Sequence, residues 1–105
     1  MSVLTTLRAA RKLIEHEENW TQRVFARDNL GEPVAADSDQ ACCWCVSGAI
    51  GAVSNSVGTD HREATNEFRQ EMGEFMLLGS FNDSHTHAEV LHMLDKTIAR
   101  LEKAS

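Results

Sequence analysis

The feature that most limits what this chain can fold into is the run ACCWCVSGAIGAV at residues 41–53, where Ser47 is the only polar side chain. An element that is apolar on every side must be buried on every side. A chain of 105 residues has room for one such element, at the centre of one core and surrounded by amphipathic partners. On a helical wheel, Cys42, Val46, Ala49 and Val53 form one face, with Trp44, Gly48 and Gly51 on the other. The cluster Asp37-Ser38-Asp39 supplies short side chains that accept from free backbone N–H groups, so a buried central helix is predicted over about 38–54. A glycine inside a helix costs about 1 kcal/mol against alanine, which calls for a close neighbour at Gly48 and Gly51.

Three further segments have the spacing of amphipathic helices. From Ser2 to about Glu18, Val3, Leu4, Leu7, Ala10, Leu13 and Ile14 recur on one side, with Arg8, Arg11, Lys12 and Glu15 outside. From Asp60 to about Leu78 the stripe is Ala64, Phe68, Met72, Phe75 and Met76. Glu63, Glu67, Arg69, Glu71 and Glu74 lie outside it, and Gly79 offers a stop. From Ser84 to Lys103, Leu91, Leu94, Ile98 and Leu101 point inward. Asn55 to Thr59 reads as a loop.

Residues 21–37 contain Pro33, the only proline, and a turn at Asp28-Asn29-Leu30-Gly31 between extended pieces at Val24–Arg27 and Glu32–Val34. The expected fold is mainly α and forms a single domain over 1–105. About four helices pack around the buried central one, and a small irregular hairpin at about 22–35 lies against them.

Ten lysines and arginines against sixteen aspartates and glutamates leave a net charge of −6. That balance argues against direct nucleic-acid binding and against an anionic membrane surface, both of which draw on lysine and arginine. Cys42, Cys43 and Cys45 are three in number and clustered, unlike a secreted disulfide framework. Arg8, Arg11 and Lys12 interrupt the N-terminal apolar residues, leaving no signal core. The longest apolar run is too short to span a bilayer. A cytoplasmic location is expected.

The stretch NDSHTHAEVLHMLD at 82–95 concentrates the residue types that do chemistry. Thr86-His87-Ala88-Glu89 fits a capping box, in which the threonine oxygen and the glutamate each take a backbone N–H. Asn82, Asp83 and Ser84 are alternative caps upstream, so the favoured reading of the stretch is structural. A metal reading would use Asp83, His87, Glu89 and His92. Glu89 and His92 are half of a di-metal carboxylate motif whose second half is missing, and Cys42, Cys45 and His61 are further zinc-type donors.

Cys42-x-x-Cys45 lacks the βαβ context of a redox pair, Ser47-Gly48 the strand–turn–helix of a nucleophile elbow, and Gly48/Gly51 the Lys-Ser/Thr of a phosphate loop. Trp20 and Trp44 read as core anchors before ligand-stacking rings. If the corner forms a cleft, its candidate residues are Trp20, Arg27, Asn82, Asp83 and His87. No cofactor is expected, and a divalent metal is the one such group these residues would suit.

The set Trp20-Thr21, Ala26-Arg27-Asp28, Gly31, Pro33-Val34, Trp44-Cys45, Gly48-Ala49, Phe81-Asn82-Asp83, Thr86-His87 and Glu89-Val90-Leu91 resembles a family of short bacterial and phage proteins of unknown function. The likeness extends over roughly residues 4–99 and implies one compact domain, with no known activity, cofactor or catalytic residue. It also implies that Asn82-Asp83 and Thr86-His87 belong to the family pattern, whereas His85, Cys42 and Cys43 are peculiar to this chain.

The function expected from all of this is a non-enzymatic accessory domain acting through a protein partner or by self-association. One alternative is a metal- or small-molecule-binding domain, a hydrolase in one version, with His87 as ligand or general base and Asp83 orienting it. Another is an acidic inhibitor of a nucleic-acid-binding protein, with Glu63, Glu67, Glu71 and Glu74 of one helix face standing in for phosphates.

Overall fold

The computed structural model describes residues 3–57, 61–73 and 78–104. Along these the chain forms α1 (Val3–Leu13), a 3-10 turn (Glu17–Asn19), β1 (Ala26–Arg27), β2 (Pro33–Val34), β3 (Cys43–Trp44), α2 (Val46–Val57), α3 (His61–Met72), α4 (Leu78–Ser84) and α5 (His87–Ala104). The fold is mainly helical with a small antiparallel sheet, as expected.

Helix α2 sits at the centre, in contact with α1, α3, α4 and β3. The core joins Leu7, Ala10 and Ile14 of α1 and its end to Val46, Ala49 and Ile50 of α2. Ala64 and Phe68 of α3, Phe81 of α4, and Val90 and Leu94 of α5 complete it. Fully burying a side chain such as Leu7, Ile50 or Phe68 contributes about 1.5–3 kcal/mol. Phe68 and Phe81 meet edge to face at 5.8 Å. Outside the core, Arg11 reaches Asp95 at 2.8 Å, tying α1 to α5. Arg100 of α5 lies between Glu67 at 3.0 Å and Glu71 at 2.8 Å.

The sheet order is β2-β1-β3, with Ala26 opposite Val34 on one side and Trp44 on the other. The β1–β2 hairpin was expected, but the third strand was not. The central helix begins at Val46, eight residues later than predicted, because residues 42–44 gain strand partners that a helix would forgo. Cys42 N–H donates to the Arg27 carbonyl at 2.9 Å, and Thr21 N–H to that of Trp44 at 3.0 Å. The Asp37–Gln40 stretch forms turns instead of a cap, with Ser38 N–H on the Ala35 carbonyl and Gln40 N–H on Ser38 Oγ. Cys42 and Cys45 therefore share no helical face.

The remaining differences lie at helix ends. α3 stops at Met72, where Gly73 adopts φ +88° and its N–H bonds the Arg69 carbonyl. Gly79 lies inside α4, a short helix the periodicity did not separate from α3. Ser84 closes α4, and α5 opens at His87. Residues 55–57 of the expected loop extend α2, while 58–60, Glu74, Phe75 and Met76 fall outside the described residues.

Candidate functional site

The polar corner is built around Asn82, which is fully buried. Its Oδ1 accepts from Trp20 Nε1 at 2.8 Å and from the Val46 N–H at 3.0 Å, and its Nδ2 donates to the Thr21 carbonyl at 2.9 Å. The Val46 N–H is one of the unpaired donors that open any helix. Asn82 therefore caps α2 from α4 while fixing the Trp20–Thr21 segment. At the same helix end Cys45 Sγ accepts from the Gly48 N–H at 3.2 Å. Gly48 is required here, since a Cβ would fall on the Phe25 carbonyl oxygen. Gly51 has open space around it.

Gln22 closes the C-terminal end of α4. Its Nε2 donates to the carbonyls of Asn82, Asp83 and His85 at 3.0, 3.3 and 3.2 Å, groups left without partners where a helix stops. Asp83 Oδ1 takes the Arg23 N–H at 2.7 Å, and Arg23 has φ +75°. The Arg27 guanidinium bonds Thr21 Oγ1, the Gln22 carbonyl and the Gly31 carbonyl.

His87 Nε2 lies 2.6 Å from the Ile14 carbonyl, which requires the proton on Nε2 and covers a bare carbonyl at the end of α1. The same ring packs on Trp20, centroids 5.5 Å apart. The five cleft candidates thus gather along Trp20–Arg23, each held by a bond or ring contact within the protein.

The capping box is present in both directions. Thr86 N–H donates to Glu89 Oε1 at 2.8 Å, and Glu89 N–H to Thr86 Oγ1 at 3.1 Å. The first bond stabilises the carboxylate, holding the Glu89 pKa below its ordinary value. His85 stacks on Phe81 at 4.0 Å, with Nδ1 at 2.8 Å from the Phe81 carbonyl. Together with Glu89, His92 and Met93, these rings line a hollow of about 320 Å³. Among the described residues, no group of three or more His, Cys, Asp or Glu is placed to hold a metal ion.

The cysteines separate. Cys42 is exposed and Cys45 buried, and burial pushes the Cys45 thiol up, away from the thiolate a nucleophile needs. On α3, Glu67 and Glu71 both pair with Arg100, Glu63 is exposed, and Glu74 falls outside the described residues.

Four residues here were not singled out as site residues in the sequence reading: Gln22, Arg23, Phe25 and Leu30. Phe25 and Leu30 are the large hydrophobics left exposed among the described residues, at 62% and 82%. Arg23, Val24, Phe25, Cys45 and Asp83 line a cleft of about 210 Å³. Their only sequence signal was position, beside a turn in the one segment without helical spacing.

Among the described residues, no helix is long and apolar enough to cross a membrane. Searches among curated proteins and among solved structures gave no match. The match that does exist is to a family model spanning residues 1–100, and the chain belongs to that family of unknown function, DUF6197.

Proposed function

We propose that this chain is a non-enzymatic protein-interaction domain whose working surface is the β1–β2 hairpin with the Arg23–Phe25 segment before it. The observation that carries this reading is the exposure of Phe25 and Leu30 on one hairpin. A lone exposed leucine means little. Here, however, two large apolar side chains flank one short strand, and the backbone under each is firmly held.

The Leu30 turn is held by Asp28, whose Oδ1 accepts from the Leu30 and Glu32 N–H groups at 2.9 Å each, while its carbonyl takes the Gly31 N–H. Beneath Phe25, the carbonyl is fixed by the Cys45 N–H at 3.2 Å. A backbone already held in place need not be ordered when a partner covers its side chains, which lowers the entropic cost of binding. The reading is also supported by the corner at 82–89, whose polar groups are engaged in holding helix ends. The net charge of −6 favours a protein partner over nucleic acid.

The test is a photo-reactive phenylalanine analogue at position 25, irradiated in the cells that make the protein. The expected result is a discrete adduct that excess unlabelled protein suppresses and the Phe25→Ala/Leu30→Ala variant does not. Labelling that both competitors suppress equally, or no adduct, would contradict the reading.

A further inference from the structure

The hairpin carries both halves of a contact. One half is the cleft of about 210 Å³ beside Phe25, large enough for one aliphatic side chain, since an apolar cavity of about 150 Å³ takes up benzene. Its rim bears Arg23, whose guanidinium is in no ion pair among the described residues although the chain has sixteen carboxylates. The other half is the turn tip, where Leu30 projects at 82% exposure. Two residues on stands Glu32, exposed and likewise in no ion pair among the described residues. The cleft wants an apolar group with a carboxylate beside it, and the turn offers that pair.

Arg23 also holds a left-handed conformation, φ +75°, which is strained for a non-glycine residue. Strain of this kind is retained where it positions something. Here it turns the chain so that Arg23 and Phe25 both border the cleft. Asp83, the other charged group of the cleft, is held by Arg23's own N–H.

We propose that the occupant of the cleft is a second copy of this chain. Leu30 of one protomer enters the cleft of the other, Glu32 pairs with Arg23 across the contact, and a two-fold axis repeats the arrangement. A surface that carries both complementary parts close together suits such an isologous contact. The inference rests on the reading of the hairpin as the working surface. It implies a small interface, below about 1,000 Å², in the class of weak, reversible contacts.

The experiment is sedimentation equilibrium of the full chain from about 1 μM to 1 mM, the range in which a weak, reversible dimer shows itself, with folding checked by circular dichroism. Wild type should dimerise and Leu30→Asp should not. Arg23→Glu and Glu32→Arg should each weaken dimerisation at least about tenfold, since each turns an attractive pair into a like-charge one. An equimolar mixture of those two variants should then form heterodimers. In such a heterodimer the glutamate introduced at position 23 faces the arginine introduced at position 32, and native Glu32 of one chain faces native Arg23 of the other. Both cross-contacts then join opposite charges.

Monomer throughout the range, a dimer indifferent to Leu30→Asp, or no recovery on mixing would each overturn the proposal. A monomer that still gives the competed adduct at position 25 would leave the interaction reading standing with a different partner. Absence of both would remove the two together.

Discussion

Residues 82–89 and residues 23–34 make opposite use of their side chains. The first stretch is dense in histidine, carboxylate and amide groups, and each of its polar side chains bonds within the protein, even where, as at Asp83, Ser84, Thr86 and Glu89, the residue is exposed. Asn82 caps α2, His87 covers the end of α1, and Thr86 and Glu89 open α5. The second stretch looks unremarkable as sequence, yet it holds Phe25 and Leu30 out in solvent. What separates them is whether a side chain has a partner inside the protein. Residue type alone does not say.

The contrast should be largest at Asn82. Asn82→Ala strands the Trp20 Nε1–H, the Val46 N–H and the Thr21 carbonyl in the interior, at about 1–3 kcal/mol each. Chemical denaturation should show a loss of about 4 kcal/mol, or too little folded protein to measure. A variant with ordinary stability would remove the corner from the list of structural elements.

Gly48 and Gly51 sharpen the comparison within one helix. Gly48→Ala drives a Cβ into the Phe25 carbonyl and should cost about 3 kcal/mol or more. Gly51→Ala meets open space and should raise stability by up to about 1 kcal/mol. Thermal melts of the two variants moving in the same direction would contradict the close approach of the hairpin to α2.

A smaller effect belongs to the capping box, where Thr86→Ala should cost about 1 kcal/mol. The Glu89 carboxylate adds a pH signature. Its folded pKa is depressed, so its contribution is present above the ordinary carboxylate range and lost as pH falls through the folded value. The stability gap between wild type and Glu89→Gln should therefore be open at neutral pH and close on acidification. A gap independent of pH would mean that the Thr86 N–H bond does not select the charged form.

The smallest effect is expected at the tip. Phe25→Ala and Leu30→Ala should change unfolding free energy by no more than about 0.5 kcal/mol, as for surface positions generally.

How much of this was legible beforehand depends on the kind of signal each element leaves. Leu7, Ala10 and Ile14, or Ala64 and Phe68, recur at helical spacing and were placed correctly in the core. The hairpin announced itself through Asp28–Gly31 and Pro33, and the capping box through the three-residue offset of Thr86 and Glu89. The run at 41–53 was different. Cys43 and Trp44 are apolar in either conformation, so periodicity could not distinguish a strand from a helical turn, and the decision fell to long-range bonds with Arg27 and Thr21.

α4 is only seven residues long, too short to establish a period of its own. Asn82 was singled out as a candidate, but its role depends on Trp20 and Val46, sixty-two and thirty-six residues away. A one-dimensional pattern carries nothing about such partners. The exposure of Phe25 and Leu30 was illegible for the same reason.

The central claim is that the polar corner holds the fold together while the apolar tip is free to act. It is tested most directly by unfolding Asn82→Ala and Leu30→Ala side by side in guanidinium chloride. The account predicts a midpoint for Asn82→Ala far below wild type and one for Leu30→Ala close to it. Near-equal midpoints, or the greater loss at Leu30, would contradict it.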